Sequence, residues 1–347
     1  MAYTTIDKSS LQFSTKLYTG TGSAASITGV GFQPDWVWVK DRSAANSNQI
    51  SDVLRGPTKT WFTDAAAAES TDAQRLTSFD SDGFSVGTNS SWNTNSNNYV
   101  SWNWKAGGSG VTNTDGNMNT TVTVSANTTA GLSIVTWTGS GNTTYNTIGH
   151  GLGVAPKWVM VKNLTDAQAG TYSLTELGWT KAFDISSTGA SNSSTTYWND
   201  TAPSSSVVTL GSSNDTNGTG DSMIAYCFAE KTGFSKFGKY TGNGNVDGPF
   251  VYTGFKPALV LVQGDFGSDS TKMWDHKRPG YNLINNWLEA DDNQAEGTGS
   301  NQIDIVSNGF KIRNTNTAGN TNNGAIYYMA FAAAPLVGSN NIVATAG

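Results

Sequence analysis

Residue types that usually carry catalysis or bind metals are scarce in this sequence. Histidine, a common general base and metal ligand, occurs only at His150 and His276. His150 lies in a Gly-rich turn ahead of a predicted strand, which favours a structural or solvated role, and His276 is predicted to be a surface residue of a strand. Cys227 is the single cysteine, so an intrachain disulfide is excluded, and its apolar neighbours predict a buried, inert thiol. These residues have no spacing typical of a zinc site.

The acidic segment Asp80-Ser-Asp-Gly83 has the composition of part of a calcium loop. An EF-hand loop that begins at Asp80 requires a glutamate at its twelfth position, which is Ser91 here. The segment Val306-Ser-Asn-Gly309 keeps the same spacing without the acids. Because Asp-Gly and Asn-Gly favour tight hairpins, both segments are predicted to be type I′ turns between two strands.

A second acidic group consists of Glu289, Asp291, Asp292 and Glu296. Carboxylates this close in sequence can hold a weakly bound metal ion, but a solvated acidic loop is the favoured interpretation. The sequence contains no nucleophile–base pair, no phosphate-binding motif and no pair of carboxylates that recurs along the chain. We therefore predict a protein that is not an enzyme, with no catalytic residues, no metal site and no cofactor.

Five tryptophans lie among polar residues and are the candidate binding residues: Trp61, Trp92, Trp179, Trp198 and Trp287. An exposed tryptophan beside Asn and Asp can stack on a sugar ring, as in sandwich lectins. The same residue type is enriched at protein–protein interfaces. A role in an interface or in packing at a sheet edge is favoured, and glycan binding stays open. Trp36 and Trp38, in contrast, alternate along a predicted strand and are assigned to the core.

These candidates are positioned by a sequence unit that occurs three times. Each copy opens with an aromatic residue and Thr-Gly-x-Gly, continues with Gly-x-x-Pro before an apolar strand, and closes on an aromatic strand. The opening signatures are Tyr18-Thr-Gly-Thr-Gly22, Trp137-Thr-Gly-Ser-Gly141 and Tyr240-Thr-Gly-Asn-Gly244. The signature prolines Pro34, Pro156 and Pro257 precede the closing aromatics Trp104, Phe228 and Phe331 by 70, 72 and 74 residues. Spacing this similar predicts one fold repeated.

The predicted fold is all-β, with three tandem homologous β-sandwich domains of jelly-roll-like type. Proline begins the second strand of each copy, where its missing N–H is tolerated, and β-branched and aromatic residues follow without helical spacing. The predicted boundaries are a lead-in at 1–16, repeats at 17–108, 131–233 and 234–335, a linker at 109–130 and a tail at 336–347. Within the linker, Thr121-Val-Thr-Val124 is predicted to add a strand.

Composition narrows the class of protein. The 347 residues include 20 Lys and Arg and 26 Asp and Glu, for a net charge of -6, so the excess of positive charge expected of a nucleic-acid-binding protein is missing. No apolar run approaches the ~20 residues of a membrane-spanning helix. Aromatic residues make up 11% of the chain, which indicates a folded protein. The first residues, Met1-Ala-Tyr-Thr-Thr-Ile-Asp7, carry no apolar signal core, so we expect synthesis in a cytoplasm.

Several blocks of the chain resemble tandem-repeat virion structural proteins of marine tailed bacteriophages, of the tail, fibre or surface-appendage type. The blocks are Gly31-Phe-Gln-Pro-Asp-Trp-Val-Trp-Val-Lys40, Ser78-Phe-Asp-Ser-Asp-Gly-Phe84, Tyr99-Val-Ser-Trp-Asn-Trp-Lys-Ala106 and Cys227-Phe-Ala-Glu-Lys-Thr-Gly-Phe234. The resemblance implies a virion location, contacts with other capsid or tail proteins, an oligomeric state in the particle, and no catalytic residues. The absence of heptads favours a tail-associated appendage or capsid decoration over a long fibre.

Two functions therefore stay open. In the first, the chain is a structural component that docks on other virion proteins through its exposed faces. In the second, it is a receptor-binding tail fibre or lectin-like module that recognises host-surface glycan. A glycan depolymerase is a distant third, because no pair of catalytic carboxylates is evident.

Overall fold

The computed structural model describes residues 4–141, 146–267 and 270–335, so the predicted tail at 336–347 lies outside the described residues. After a 3₁₀ turn at Ser9–Leu11, the first part of the chain contains β1 (Phe13–Thr19), β2 (Ala25–Thr28), β3 (Trp36–Asp41), β4 (Gln49–Asp52), β5 (Lys59–Phe62), β6 (Ser70–Thr71), β7 (Leu76–Asp80), β8 (Gly83–Val86), helix α1 (Ser90–Asn93) and β9 (Asn98–Trp104). We call residues 13–104 the first unit.

The second unit, residues 132–228, follows two connecting strands, β10 (Val111–Asn113) and β11 (Val122–Asn127). It contains β12 (Leu132–Thr138), β13 (Asn146–Gly149), β14 (Trp158–Asn163), β15 (Gly170–Leu174), β16 (Lys181–Asp184), β17 (Asn192–Ser193), α2 (Thr195–Trp198), β18 (Val207–Leu210), α3 (Asn214–Asn217) and β19 (Ser222–Phe228).

The third unit, residues 235–335, contains β20 (Ser235–Thr241), β21 (Phe250–Tyr252), β22 (Phe255–Gly264), β23 (Lys272–Asp275), β24 (Ile284–Glu289), β25 (Gly297–Val306), β26 (Gly309–Ile312), α4 (Thr317–Asn320) and β27 (Ala325–Pro335).

The main sheet of each unit has the same core order of strands. The order is β1-β9-β3-β4-β5 in the first unit, β12-β19-β14-β15-β16 in the second and β20-β27-β22-β23-β24 in the third. All of these neighbours are antiparallel. The closing strand of each unit therefore lies inside its sheet, between the first strand and the strand at the signature proline, which explains why the closing strands are almost completely buried.

A smaller set of strands covers the outer face of each main sheet. These strands are β2-β8-β7 in the first unit and β13-β18 in the second, while in the third unit β25, β26 and β21 continue from the main sheet itself. Phe84 of β8 and Val208 of β18 belong to separate cores between the two layers of their units. The prediction of an all-β protein whose sheets pack face to face is confirmed.

The inner faces of the three main sheets meet in one aromatic core. The ring of Trp104 lies 5.4 Å from that of Phe331, and Phe228 lies 5.7 Å from Phe331. Trp36 of the first unit also packs on Phe228 of the second, at 5.6 Å. These closing-strand aromatics come from all three units and belong to a single buried cluster. The units consequently share a core, and none of them buries its inner face alone.

The loop before the closing strand of each unit contains a short helix whose last residue is a buried asparagine. These residues are Asn93, Asn217 and Asn320, the last residues of α1, α3 and α4. Their side-chain oxygens accept the backbone N–H groups of Thr21, Ser140 and Asn243, in the opening signatures, at 2.7, 3.0 and 2.9 Å. A buried amide that satisfies backbone groups in this way ties the signature turn to the closing loop.

The hairpin predicted at Asp80-Ser-Asp-Gly83 is present, but its turn differs from type I′. Asp80 pairs with Gly83, and neither central residue has a positive φ; Gly83, at φ 146°, is the residue in that region. The Asp82 carboxylate accepts the N–H groups of Gly31 and Gly29 at 2.7 and 2.9 Å, which lower its pKa. The aspartate therefore holds a neighbouring loop rather than supplying a left-handed backbone.

Residues 109–130, predicted as a linker, contribute β10 and β11 to the main sheet of the second unit. The strand expected within the linker is thus present as β11. It pairs with β12, from Thr123 opposite Thr136 to Asn127 opposite Leu132. Because β11 pairs along the edge of β12, this segment with alternating valines forms a strand and is not a flexible linker.

Candidate functional site

The tryptophans considered for ligand binding are largely inaccessible. Trp61, Trp92 and Trp198 are fully buried, and Trp179 is 7% exposed. Trp61 donates to the Tyr226 hydroxyl at 3.0 Å, and Trp92 donates to Gln49 at 2.7 Å. These ring faces are covered by protein, so a sugar cannot stack on them.

Trp287 is half-buried, and the Lys272 ammonium lies 3.8 Å from the centroid of its ring. One face of this tryptophan is therefore occupied by a cation–π contact. Of these tryptophans, Trp61 bonds across a junction between units, whereas Trp92, Trp179 and Trp198 pack in the cores between the two layers of their own units.

The second acidic group also differs from its prediction as a solvated loop. Glu296 makes a bidentate pair with Arg42 of the first unit, at 2.9 Å for both contacts, and a 3.2 Å contact with Arg278. Asp291 is 7% exposed and accepts the N–H of Thr271 at 3.0 Å. The loop lies between the third and first units, and this location explains why the carboxylates of Asp291 and Glu296 are buried, while Asp292 stays half-buried.

The junction between the first and second units is built on the segment Asp52-Val-Leu-Arg55. The Asp52 carboxylate accepts Arg55 Nε at 2.5 Å and the hydroxyl of Tyr226, from the second unit, at 2.8 Å. Arg55 also contacts Glu69 at 3.1 Å. The side chains of Asp52 and Arg55 are almost completely buried, so they form a desolvated ion pair within the first unit, and the Tyr226 hydroxyl joins this pair to the second unit.

The junction between the third and first units repeats this arrangement. Asp275 accepts Arg278 Nε at 2.6 Å and Trp102 Nε1, from the first unit, at 3.2 Å. Arg278 then contacts Glu296, just as Arg55 contacts Glu69. Both side chains of the Asp275–Arg278 pair are fully buried.

The junction between the second and third units has apolar residues at the same positions. Asp52, Leu174 and Asp275 stand opposite Trp36, Trp158 and Leu259 in the register of their sheets. Leu174 and Leu177 thus replace the acid and the arginine, and both pack in the shared core. Lys181 and Asp265 form a 3.2 Å ion pair nearer the surface of this junction. The Asp-x-x-Arg spacing at two of three copies was the sequence signal for these pairs, and it was missed.

Burial shifts the pKa values of several groups at these junctions. Burial raises the pKa of Asp291 to about 7. Burial lowers the pKa values of Lys40 and Lys162 to about 8, although each ammonium donates to backbone carbonyl oxygens, such as that of Asn293 at 2.8 Å from Lys40 Nζ. Of these three groups, Lys40 bonds across a junction, from the first unit to the third, and each group is buried at a cost in desolvation.

The raised pKa of Asp291 predicts a pH-dependent stability. Between pH 4 and 7 the folded chain keeps a proton on Asp291 that the unfolded chain has lost, so the free energy of unfolding falls as the pH rises, by roughly 3 kcal/mol from this group. Asp291→Asn keeps a neutral acceptor and is expected to remove this component. Urea unfolding of both proteins at pH 4, 5, 6 and 7 measures the difference, and parallel pH profiles would contradict the assignment.

The histidines and the cysteine have structural surroundings. His150 is buried, its Nδ1 accepts the N–H of Leu152 at 3.2 Å, and its Nε2 lies 3.2 Å from the Ser204 carbonyl oxygen. His276 follows β23, is half-buried, and donates to Ala258. Burial raises the pKa of Cys227 to about 12, as expected for an inert thiol. In the part of the chain that the structure describes, no three His, Cys, Asp or Glu residues form a potential metal site.

An exposed apolar surface lies on the third unit. Phe250 and Tyr252 of β21 are 48% and 51% exposed, and Val246 in the preceding loop is 62% exposed. We call these three residues the third-unit patch. Lys311 of β26 lies opposite Phe250 of β21, and its ammonium contacts the Asp247 carboxylate at 2.9 Å. Charged side chains therefore border the patch. Apolar residues with a polar rim are typical of a protein-binding surface.

The fold and its junctions define an all-β protein of three sheet units that share one aromatic core and present an apolar patch at a sheet edge. The chain belongs to the family described as a domain of unknown function (DUF7483), whose match covers residues 8–335. No curated protein matches the chain. No helix among residues 4–141, 146–267 and 270–335 is long and apolar enough to cross a membrane.

Proposed function

We propose that the chain is a non-enzymatic structural protein on the exterior of a bacteriophage particle, as a tail-associated appendage or capsid decoration, and that it works through protein–protein contacts. The observation that carries this proposal is the third-unit patch, because exposed aromatic residues on an edge strand with a charged border suit a protein partner. The virion location is supported by the resemblance of the sequence blocks quoted above.

The construction of the molecule supports the same proposal. The three units share one buried core, which fixes the positions of their outward faces relative to one another. We further infer that the units are homologous jelly-roll-like sandwiches. The common strand order and the three equivalent asparagines Asn93, Asn217 and Asn320 support this inference.

Replacing both Phe250 and Tyr252 with serine is expected to weaken association with the phage particle by about 30-fold, since exposed aromatic anchors contribute about 2 kcal/mol to such contacts. The measurement is co-sedimentation of the labelled chain with particles that lack it. The matched control is Val111→Ser. It removes an apolar side chain that is 66% exposed on β10, in the main sheet of the second unit.

Electron cryomicroscopy of intact particles then gives the position of the chain. We expect density for the three units of the chain on the capsid or tail, with the third-unit patch in contact with another protein. Unchanged sedimentation of the double variant would contradict the patch as the contact. Binding of host polysaccharide without binding to particles would overturn the structural role in favour of a receptor-binding module.

A further inference from the structure

The first strand of each main sheet has one side that faces away from the closing strand. In the first unit, Lys105 donates to the carbonyl oxygen of Gln12 at 2.9 Å, and Gly20 donates to that of Asn97 at 2.8 Å. Because hydrogen-bonded positions alternate along an antiparallel pair, the backbone groups of Phe13, Thr15 and Leu17 point away from β9. β1 lies at the edge of its sheet, so within residues 4–141, 146–267 and 270–335 these groups form an edge without a pairing strand.

The second unit shows what occupies this edge when it is filled. β12 stands where β1 does, and its outward positions pair with β11, Ser125 opposite Ile134 and Thr123 opposite Thr136. At these two positions the residues of β11, Thr123 and Ser125, are polar and either β-branched or small. The chain itself supplies a strand for one of three equivalent edges.

The third unit protects its own edge differently. The outward N–H of Phe237 on β20 donates to the Glu230 carboxylate at 3.4 Å, and the Ser235 hydroxyl accepts the N–H of Lys231 at 3.0 Å. The turn before β20 therefore covers the beginning of this edge. Of the three edges, that of β1 is the one with neither a strand nor a side-chain acceptor against it among the described residues.

A cleft of about 600 Å³ runs along β1 and lies between the first and third units. Its walls include every residue from Phe13 to Leu17 and, from the third unit, Ala258 and Ala332. Its volume falls within the range of about 300–1,000 Å³ that is usual for ligand sites. The exposed edge of β1 thus has room beside it.

The cleft also contains a buried polar group without a partner. Thr15 is 6% exposed, and its Oγ1 has no hydrogen-bond partner within the described ranges. A buried hydroxyl of this kind is costly unless another molecule satisfies it. Lys16 and Lys277 border the cleft with positive charge, and Leu11, which is 45% exposed, lies at one end.

We propose that the β1 edge and its cleft form a strand-addition site for an extended segment of a neighbouring protein. The segment has small or β-branched polar side chains, as β11 does, and a carboxylate that reaches Lys16 or Lys277. Main-chain hydrogen bonds to Thr15 and Leu17 give most of the affinity, and the Thr15 hydroxyl favours a polar group opposite it. The inference rests on the proposed function, which supplies the neighbouring protein in an assembled particle.

The test uses a synthetic peptide of residues 121–128, which contains β11 and one residue on each side of it, as the added strand, with amide hydrogen exchange as the readout. In the chain alone, the amides of Thr15 and Leu17 are expected to exchange rapidly, whereas those of Ser14 and Lys16 are protected by β9. At saturating peptide, exchange at Thr15 and Leu17 is expected to slow by about tenfold or more.

The matched control is the same peptide N-methylated at alternate residues, which cannot pair along its edge, and it is expected to give no protection. Thr15→Pro removes one outward N–H and is expected to weaken binding by about tenfold, since proline is tolerated on an edge strand. If this variant does not fold, the N-methylated peptide still tests the pairing on the unaltered chain.

Three results would overturn the inference: no protection at millimolar peptide, equal protection by the N-methylated peptide, or protection of Thr15 and Leu17 before any peptide is added. The last result would mean that the chain, or a second copy of it, already fills the edge. Co-sedimentation with particles is measured separately, so a failed strand addition with particle binding retained removes this inference and leaves the proposed function intact.

Discussion

Replacing Asp275 with leucine is expected to lower the free energy of unfolding by about 3–5 kcal/mol, because it leaves the guanidinium of Arg278 buried without its closest carboxylate. Arg278 is fully buried and donates to Asp275 at 2.6 Å. Its remaining acidic contact is Glu296, at 3.2 Å, which is shared with Arg42. The loss is therefore mostly the desolvation penalty of an unpaired charge.

Replacing Asp275 and Arg278 together with leucine is expected to cost less than half as much. The double variant reproduces Leu174 and Leu177 at the corresponding positions of the second unit, where an apolar pair already fills the junction. Glu296 keeps its bidentate pair with Arg42. Chemical unfolding of the wild type and both variants measures the difference, and a double variant as unstable as the single one would show that the ion pair itself stabilises the junction.

Gly139→Ala is expected to destabilise the chain by about 4 kcal/mol, because there is no space for a side chain at this position of the opening signature. A Cβ atom at Gly139 would lie 2.1 Å from the carbonyl oxygen of Gly218, the residue that follows α3. Gly20 and Gly242 are in the same position, 2.1 and 2.2 Å from the carbonyl oxygens of Thr94 and Thr321. The backbone of the signature turn therefore packs directly against the end of the short helix, with no space for a side chain between them.

The matched control is Gly267→Ala. An added Cβ at Gly267 meets no atom within 4 Å, and the residue does not require a positive φ. Its stability should stay within about 0.5 kcal/mol of the wild type or rise slightly. Thermal and urea unfolding of the two alanine variants gives the comparison. Similar stability for both would contradict the close contact at Gly139.

Local features of the sequence predicted much of the secondary structure. The strands at the signature prolines, the closing aromatic strands and the hairpins at Asp80 and Val306 depend on residues within a few positions of one another, and they are present. Two details differ from the prediction: β22 begins two residues before Pro257, and neither hairpin turn is of type I′. The buried Cys227 follows in the same way from the apolar run around it. These properties are predictable because strand alternation and turn chemistry act over short distances.

The contacts between units could not be predicted in the same way. Trp61 bonds to Tyr226 across 165 residues, and Arg42 pairs with Glu296 across 254. Nothing in the residues beside Trp61 indicates that another sheet covers it. Its polar neighbours were compatible with exposure, and the packing of a second unit buried it.

The sequence by itself determined an all-β chain in which one residue pattern occurs three times, because alternating apolar residues, strands at prolines and glycine turns carry that information locally. The tertiary structure alone decided that the units share one core and that Asp52 and Asp275 become buried junction residues. It also decided that, among the described residues, no strand pairs with the edge of β1, whereas β11 fills the edge of β12. The physical reason is that a side chain is buried only when a second surface packs against it. The same polar or aromatic side chain is therefore solvated or desolvated according to which distant segment covers it.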